Sequence, residues 1–110
     1  MDTRLVESFL RSAGKTGKVS YGFRETLKSM KGTKVVVVSQ SLQSREREML
    51  IQSCRSFEVP IIQYEGTSIM LGRAAGVSYP VKVLGVRSAG EADLSKLLNM
   101  AEKSVSSQKI

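Results

Sequence analysis

TKVVVVSQ, from Thr33 to Gln40, is the stretch that decides the fold. Its four consecutive valines, Val35 to Val38, form the longest apolar run of the chain, and β-branched residues favour strands. A strand with one face in water would alternate apolar with polar residues, whereas this run is apolar at every position. The run therefore predicts a central strand that is covered on both faces.

Helical and extended patterns alternate on the N-terminal side of this strand. The predicted elements are an amphipathic helix over Leu5 to Ala13 that ends at Gly14 and Gly17, a short strand over Lys18 to Tyr21, and a helix from Phe23 to Met30 that Gly32 stops.

The same alternation continues on the C-terminal side. The predicted elements are a helix from Ser44 to Phe57 with Ser44 as N-cap, a strand over Val59 to Tyr64, a helix capped by Thr67 or Ser68 that ends at Gly76, a strand over Val81 to Val86, and a helix over residues 90–103. In the first of these helices, Leu50, Cys54 and Phe57 should face inward, and the stretch RERE should be a solvated face.

This order predicts an α/β sandwich whose sheet is covered by helices on both faces. The length of 110 residues suits one domain, which we place at residues 1–103, with residues 104–110 as a flexible tail. No repeat or linker divides the chain.

The charge of the chain indicates an anionic partner. Lys and Arg number 17 against 10 Asp and Glu, which gives a net charge of +7, and eight of these bases but only three of the acids lie within residues 1–34. A small, strongly basic domain favours nucleic acid, and an acidic membrane surface is the alternative.

The residue types that are missing exclude several classes of function. With no His and one Cys, the chain has no Ser-His-Asp or Cys-His arrangement, no zinc cluster of the usual kind and no internal disulfide. Charges interrupt the N-terminus too often for a signal peptide, and the longest apolar run is too short to span a bilayer. We therefore expect a soluble, intracellular protein without a metal or cofactor.

The first candidate site is the stretch YGFRETLKSMKG, from Tyr21 to Gly32. A helix that begins near Gly22 would turn its free N–H groups toward an anion, and glycine would let a nucleic-acid backbone approach. Arg24, Lys28 and Lys31 follow at i, i+4 and i+7, on one ridge. The alternative interpretation is an ordinary solvated helix face.

The second candidate site is EGTSIMLGRAAGVSYPVKV, from Glu65 to Val83. Its glycines let backbone approach a ligand, and Arg73 and Tyr79 could contact phosphate and stack on a base. The alternative is a connecting loop whose glycines cap a helix. The spacing of these glycines does not match a nucleotide-binding loop, since no Gly-Lys-Ser/Thr follows.

Three motifs carry a family resemblance: GK-x-x-x-G-F-R-x-T-L-K, TKVVVVSQ and VPIIQYEGTSIMLGRAAG. Their combination resembles the L30e family of large-subunit ribosomal proteins of archaea and eukaryotes, within the L7Ae superfamily of kink-turn RNA binders. The resemblance covers about residues 5–95, and EGTS-x-x-LG is its most specific part. It implies a three-layer α/β/α sandwich with a mixed four-stranded sheet, docked on a sharply bent internal loop of ribosomal RNA.

The resemblance also implies which residues contact RNA. The family's turn and helix start fall on the residues from Gly22 onward, and its aromatic that packs on an extruded base falls on Tyr79. The candidate RNA-binding residues are Gly22, Phe23, Arg24, Glu25, Lys28, Ser41, Gly72, Arg73, Tyr79, Pro80 and Val81.

The chain departs from the family pattern at two places. Ser41 stands where the family commonly has an asparagine, so a base contact there would have a shorter reach and no amide pair. Arg24 and Glu25 stand where L7Ae relatives carry Asn-Glu, which favours the L30e branch.

The leading hypothesis is a non-enzymatic, structural protein of the large ribosomal subunit in the cytoplasm. Its partners would be a kink-turn element of ribosomal RNA and neighbouring ribosomal proteins, with no membrane and no small-molecule substrate. One alternative is a stand-alone kink-turn protein of guide ribonucleoproteins. Another is a small α/β enzyme that binds a phosphorylated ligand, although no paired acid and base supports it.

Overall fold

The computed structural model describes residues 3–88, in which four helices and four strands alternate. In chain order the elements are α1 Thr3–Thr16, β1 Lys18–Tyr21, α2 Phe23–Lys28, β2 Val35–Val38, α3 Ser44–Ser56, β3 Ile61–Gln63, α4 Ser68–Ala75 and β4 Val83–Ser88. The predicted alternation is confirmed over this part of the chain. The predicted last helix over 90–103 and the tail over 104–110 lie outside the described residues.

The strands form one mixed sheet in the order β1-β4-β2-β3. β4 is antiparallel to both β1 and β2, whereas β2 and β3 are parallel. Because β1, β2 and β3 run in the same direction, they all finish at the end of the sheet where β4 begins. We call this the upper end, marked by Tyr21, Val38, Gln63 and Val83, and the other the lower end, marked by Lys18, Val35, Ile61 and Ser88.

The four valines of β2 divide the core into two halves. Val35 and Val37 pack with α1 and α4 on one face of the sheet, and Val36 and Val38 pack with α3 and the α2 region on the other. Successive side chains of a strand point to opposite faces, and helices cover both faces here. All four valines are therefore 0% exposed. The prediction of a central strand inside a three-layer α/β/α sandwich is confirmed.

Helix α1 extends past Gly14, the first of the two glycines expected to end it, and stops directly before the second, Gly17. Gly14 lies inside α1, which continues to Thr16. A Cβ at Gly14 would stand 2.9 Å from the carbonyl oxygen of Ala75, at the end of α4. The role of Gly14 is therefore to let α1 and α4 pack closely.

Helix α2 is shorter than expected, and its predicted end at Gly32 is wrong. The helix ends at Lys28, and the backbone N–H of Ser29 caps it. Met30 is 1% exposed but follows the helix, and the positive φ of 94° at Gly32 belongs to the later turn. The predicted ridge is therefore incomplete, because Lys31 lies outside the helix that carries Arg24 and Lys28.

Three details of α3 differ from the prediction. The N-cap is Gln43 rather than Ser44, and no side chain caps it. Phe57 is 51% exposed at the C-cap, because the helix ends one residue before it, whereas Leu50 and Cys54 are buried as expected.

Burial raises the pKa of the Cys54 thiol to about 11, so the sulfur stays protonated near neutral pH, as expected of an inert core residue.

Candidate functional site

The turn between β1 and α2 has a backbone conformation that requires glycine. Gly22 has φ 96° and ψ 160°, a region that side chains with a Cβ rarely enter. Its N–H donates to the Val83 carbonyl at 2.8 Å, and its carbonyl accepts from the Thr26 N–H at 3.0 Å and the Thr26 hydroxyl at 2.7 Å. No atom lies within 4 Å of a Cβ built on Gly22, so the outer side of the turn is open to a ligand.

The charged side chains that follow this turn are solvent-exposed. Arg24, Glu25 and Lys28 are exposed on α2. Phe23 is half-buried and packs against the core on the α3 side of the sheet. The aromatic ring therefore anchors the short helix while the charges face outward.

The segment from Val77 to Val81 runs back along α4. Gly76 ends α4 in the left-handed conformation, with φ 85° and ψ 17°, which reverses the chain. The Val77 N–H then donates to the Gly72 carbonyl at 3.0 Å, and the Val81 N–H donates to the Ser68 carbonyl at 2.9 Å. These bonds return the chain to the upper end of the sheet.

Gly72 determines how closely this segment packs. A Cβ at Gly72 would collide with the Tyr79 carbonyl oxygen and would stand 3.6 Å from the Cα of Pro80. Gly72 is buried and Val81 is 2% exposed, so both lie inside the fold. Pro80 and the Tyr79 side chain are exposed, and Tyr79 is 52% exposed.

Pairing of β1 with β4 brings the two candidate stretches together. Tyr21 pairs with Leu84 across the sheet and directly precedes Gly22. The Tyr79 ring meets the Tyr21 ring edge-on, with centroids 6.4 Å apart and an interplanar angle of 80°. Tyr79 therefore stands beside the turn that starts α2, although more than fifty residues separate them in sequence.

The surroundings of the Tyr21 hydroxyl shift its pKa. Burial, and secondarily the neighbouring Tyr79, raise the pKa of the Tyr21 hydroxyl. Tyr21 is therefore neutral at physiological pH, because a tyrosine ionises near pH 10 even in water. It adds no negative charge that would repel an anion.

The Ser41 hydroxyl is engaged within the protein. It accepts a hydrogen bond of 3.0 Å from the Ser68 N–H, at the start of α4. The Thr67 hydroxyl accepts a bond of 3.3 Å from the Met70 N–H in the same helix turn, which confirms Thr67 as the predicted cap. Ser41 therefore joins the loop after β2 to α4, and its hydroxyl keeps its proton and one lone pair for a further partner.

Arg73 lies some way along α4 from the upper end of the sheet, as Lys28 does along α2. It is exposed in the last turn of α4, five residues after Ser68. At a rise of about 1.5 Å per residue, this places its Cα roughly 7 Å along the helix. Its neighbour Gly72 packs against the Tyr79 carbonyl, so Arg73 lies one residue from the contact with the segment that carries Tyr79.

Arg47 is a residue of this end that the sequence did not single out. Its guanidinium donates to Gln63 Oε1 at 2.8 Å and to the Ser39 carbonyl at 3.2 Å. The expectation that RERE is only a solvated face is wrong at Arg47, because this side chain links α3 to the ends of β2 and β3. Nothing in the alternating charges of RERE distinguishes the second arginine, so no sequence signal predicted this role.

Two further kinds of feature are absent from residues 3–88. This part of the chain holds no group of three or more His, Cys, Asp or Glu residues that could bind a metal ion. It also has no helix that is long and apolar enough to cross a membrane.

Comparison with known proteins identifies the family. The model of the ribosomal protein L7Ae/L30e/S12e/Gadd45 family matches residues 5–96. The chain belongs to this family. The L30e resemblance and the fold that it implied are thereby confirmed.

Relatives in the L7Ae/L30e family come from archaea and eukaryotes. Each of the following three relatives is named large ribosomal subunit protein eL30. The chain is 32% identical over 94 residues to that of Sulfolobus acidocaldarius, covering 84% of this chain and 90% of the relative. It is 37% identical over 90 residues to that of Methanosphaerula palustris, covering 80% and 91%. It is 29% identical over 87 residues to that of Dictyostelium discoideum, covering 77% and 78%.

Proposed function

We propose that this protein is a structural component of the large ribosomal subunit that binds a kink-turn element of ribosomal RNA. The observation that carries the proposal is the placement of Tyr79 beside Gly22 and the exposed cations of α2. Relatives that are 29–37% identical to the chain over the aligned residues are named large ribosomal subunit protein eL30, which supports the same assignment.

The proposed site divides phosphate binding from base recognition. Arg24 and Lys28, exposed on α2, would neutralise backbone phosphates and fix the protein on the RNA. The Tyr79 ring is half exposed and is held edge-on by Tyr21, so one face can stack on a base that the bent loop extrudes. The Glu25 carboxylate, also exposed, would accept hydrogen bonds from a base edge.

The remaining candidates would hold these groups in place. Gly22 sets the direction of α2 through its positive φ, and Phe23 anchors that helix against the core. Gly72 and the buried Val81 fix the segment that carries Tyr79 and the exposed Pro80. A rigid site loses less conformational entropy when RNA binds.

Ser41 and Arg73 would have secondary roles. The Ser41 oxygen already accepts from Ser68, so an RNA contact would use its hydroxyl proton or its one remaining lone pair. Arg73 is exposed in the last turn of α4, where it would reach a phosphate flanking the bend.

We further infer that the protein acts without catalysis, on the ribosome in the cytoplasm, beside neighbouring ribosomal proteins. Its described polar groups support binding rather than chemistry. The hydroxyls of Thr26, Ser39 and Thr67 are all engaged in short-range or backbone hydrogen bonds. The exposed groups of the site are cations, one carboxylate and an aromatic ring, a set suited to RNA recognition.

Footprinting of the purified protein on deproteinised large-subunit RNA tests the proposal. We expect protection confined to one asymmetric internal loop, and co-sedimentation of the protein with large subunits. Protection of guide RNAs, without co-sedimentation, would favour the stand-alone kink-turn protein instead. Thermal stabilisation by nucleotides but not by RNA would favour the enzyme hypothesis and contradict the proposal.

A further inference from the structure

A second group of cations lies at the lower end of the sheet, away from the proposed kink-turn site. Its members are all exposed, and they come from the start of β1, the turn before β2 and the end of β4. They are Lys18, Lys31, Lys34 and Arg87. We call them the lower basic surface.

Strand register brings these residues together. Lys18 pairs with Ser88 in β4, the residue next to Arg87. The N–H of Lys34 donates to the Val86 carbonyl at 2.7 Å, on the opposite side of the same strand. The pairing of β4 with strands on both sides thus places Lys18 and Lys34 on either side of Arg87.

The turn between α2 and β2 has a fixed shape. The Thr33 N–H donates to the Met30 carbonyl at 3.1 Å, and both residues are buried, at 7% and 1% exposure. Lys31 and Lys34 are the exposed neighbours of these two buried residues. Their backbone positions are therefore set by core packing.

The same turn packs against β4. The Arg87 guanidinium lies 3.6 Å from where a Cβ of Gly32 would stand. A Cβ on Gly85 would stand 3.3 Å from the Thr33 methyl group, so the absence of a side chain at Gly85 lets the turn and the strand approach each other. The cations of the turn and of β4 thus share one surface.

The lower basic surface has little compensating charge among the described residues. Of the six carboxylates within residues 3–88, Glu58 alone adjoins the start of a strand at this end. The other five lie in the first halves of α1, α2 and α3 or in the loop after β3. No ion pair is found for the four cations within residues 3–88.

The surroundings favour RNA over a membrane as the partner. The exposed large apolar side chains of the described chain are Met49, Phe57, Ile69, Met70 and Tyr79. Of these, only Phe57, between α3 and β3, lies toward the lower end, and none belongs to this turn, to β1 or to β4. A membrane-bound surface combines cations with apolar groups that enter the lipid. A phosphate backbone requires only fixed cations.

We propose that the lower basic surface binds the phosphate backbone of a second RNA segment, without reading its sequence. The strands separate it from the kink-turn site by about three residues in β1 and β2, or roughly 10 Å at 3.3 Å per residue. The protein thus presents one RNA-binding surface at each end of its sheet. This proposal requires no kink in the second RNA and does not rest on the roles given to Arg24 and Tyr79.

Two short RNAs distinguish binding at the two surfaces. They are a kink-turn duplex and an unkinked A-form duplex of equal length. The lower-surface variant is Lys31→Gln with Lys34→Gln. Its matched control is Arg11→Gln with Arg45→Gln, which removes two exposed charges from α1 and α3. Binding of each RNA by these variants and by Arg24→Ala is measured by fluorescence anisotropy at several salt concentrations.

We expect the lower-surface variant to bind the unkinked duplex about tenfold more weakly at low salt, with a salt slope reduced by about 2. Its affinity for the short kink-turn duplex should change less than twofold, whereas Arg24→Ala should show the opposite pattern. The proposal is overturned if the parent protein does not bind the unkinked duplex. It is also overturned if the lower-surface variant loses no more affinity than the control pair. Failure of Arg24→Ala to weaken kink-turn binding would contradict the proposed function alone.

Discussion

The two halves of the candidate site, the start of α2 and the segment that carries Tyr79, are built in different ways. Arg24 and Lys28 extend from a helix of six residues into solvent. Tyr79 belongs to a segment packed so tightly under α4 that a Cβ at Gly72 would collide with its carbonyl. Substitutions of Arg24 or Lys28 should therefore change RNA binding alone. Substitutions around the Tyr79 segment should change stability as well.

The largest expected effect comes from Gly72→Ala. Alanine favours a helix by about 1 kcal/mol over glycine, so propensity alone would stabilise α4. The contact with backbone should outweigh this gain, because overpacking of a well-packed core costs about 1–3 kcal/mol and a carbonyl cannot rotate away as a side chain can. We expect a net loss of about 2 kcal/mol in the free energy of unfolding, measured by urea denaturation.

Arg73→Ala is the matched control, since it introduces alanine at the next position of α4, where the side chain is exposed. Its free energy of unfolding should stay within about 0.5 kcal/mol of the parent. If Gly72→Ala were as stable as this control, the Tyr79 segment would not depend on packing under α4. The contrast between the two halves would then disappear.

Gly22→Ala tests the one position where the α2 half also depends on backbone conformation. No atom crowds a Cβ at Gly22, but φ 96° with ψ 160° is a region that only glycine enters readily. The strain should cost about 1–3 kcal/mol in unfolding free energy, measured by urea denaturation. Arg24→Ala, two residues later and at an exposed position of α2, should leave stability unchanged. Equal stability of the two variants would show that the turn can relax.

These features differ in how far the sequence predicted them. The valine run predicted the central strand because its pattern is local, and Gly76 predicted the end of α4 for the same reason. The edge-on contact of Tyr21 with Tyr79 depends on the pairing of β1 with β4, which joins strands far apart in sequence. The resemblance to the L30e family predicted that both regions contact RNA, whereas periodicity could not relate them.

Other features lacked any local signal. Arg47 looks in the sequence like one more charge on a solvated helix face. Its hydrogen bonds to Gln63 and Ser39 could not be predicted from that pattern. The end of α2 at Lys28 was missed because Met30 continues the apolar spacing of the helix while belonging to the following turn. Apolar spacing reports burial, and a buried residue after a helix fits the same pattern.

Tyr79→Ala and Tyr79→Phe separate stacking from packing in the second half of the site. Tyr79 is 52% exposed, so its removal should leave most of the fold intact. Loss of base stacking should weaken kink-turn RNA binding by about 1–3 kcal/mol, with little change in salt slope. Tyr79→Phe keeps the ring and should bind within about twofold of the parent. If Tyr79→Ala bound as tightly as Tyr79→Phe, the ring would not contact a base. Isothermal titration at two salt concentrations measures both quantities.

The smallest expected effects, and the sharpest contrast with Tyr79, come from Arg24→Ala and Lys28→Ala. Each variant should bind kink-turn RNA several-fold more weakly, and its salt slope should fall by about 0.9, because one phosphate contact releases about one counterion. Lys31→Ala is the matched control, since Lys31 is an exposed lysine that lies beyond the end of α2. Its affinity for a short kink-turn duplex should match that of the parent. An equal loss in all three variants would mean that the RNA senses only the net charge of the protein. A loss confined to Arg24→Ala and Lys28→Ala would mean that α2 places its cations against particular phosphates.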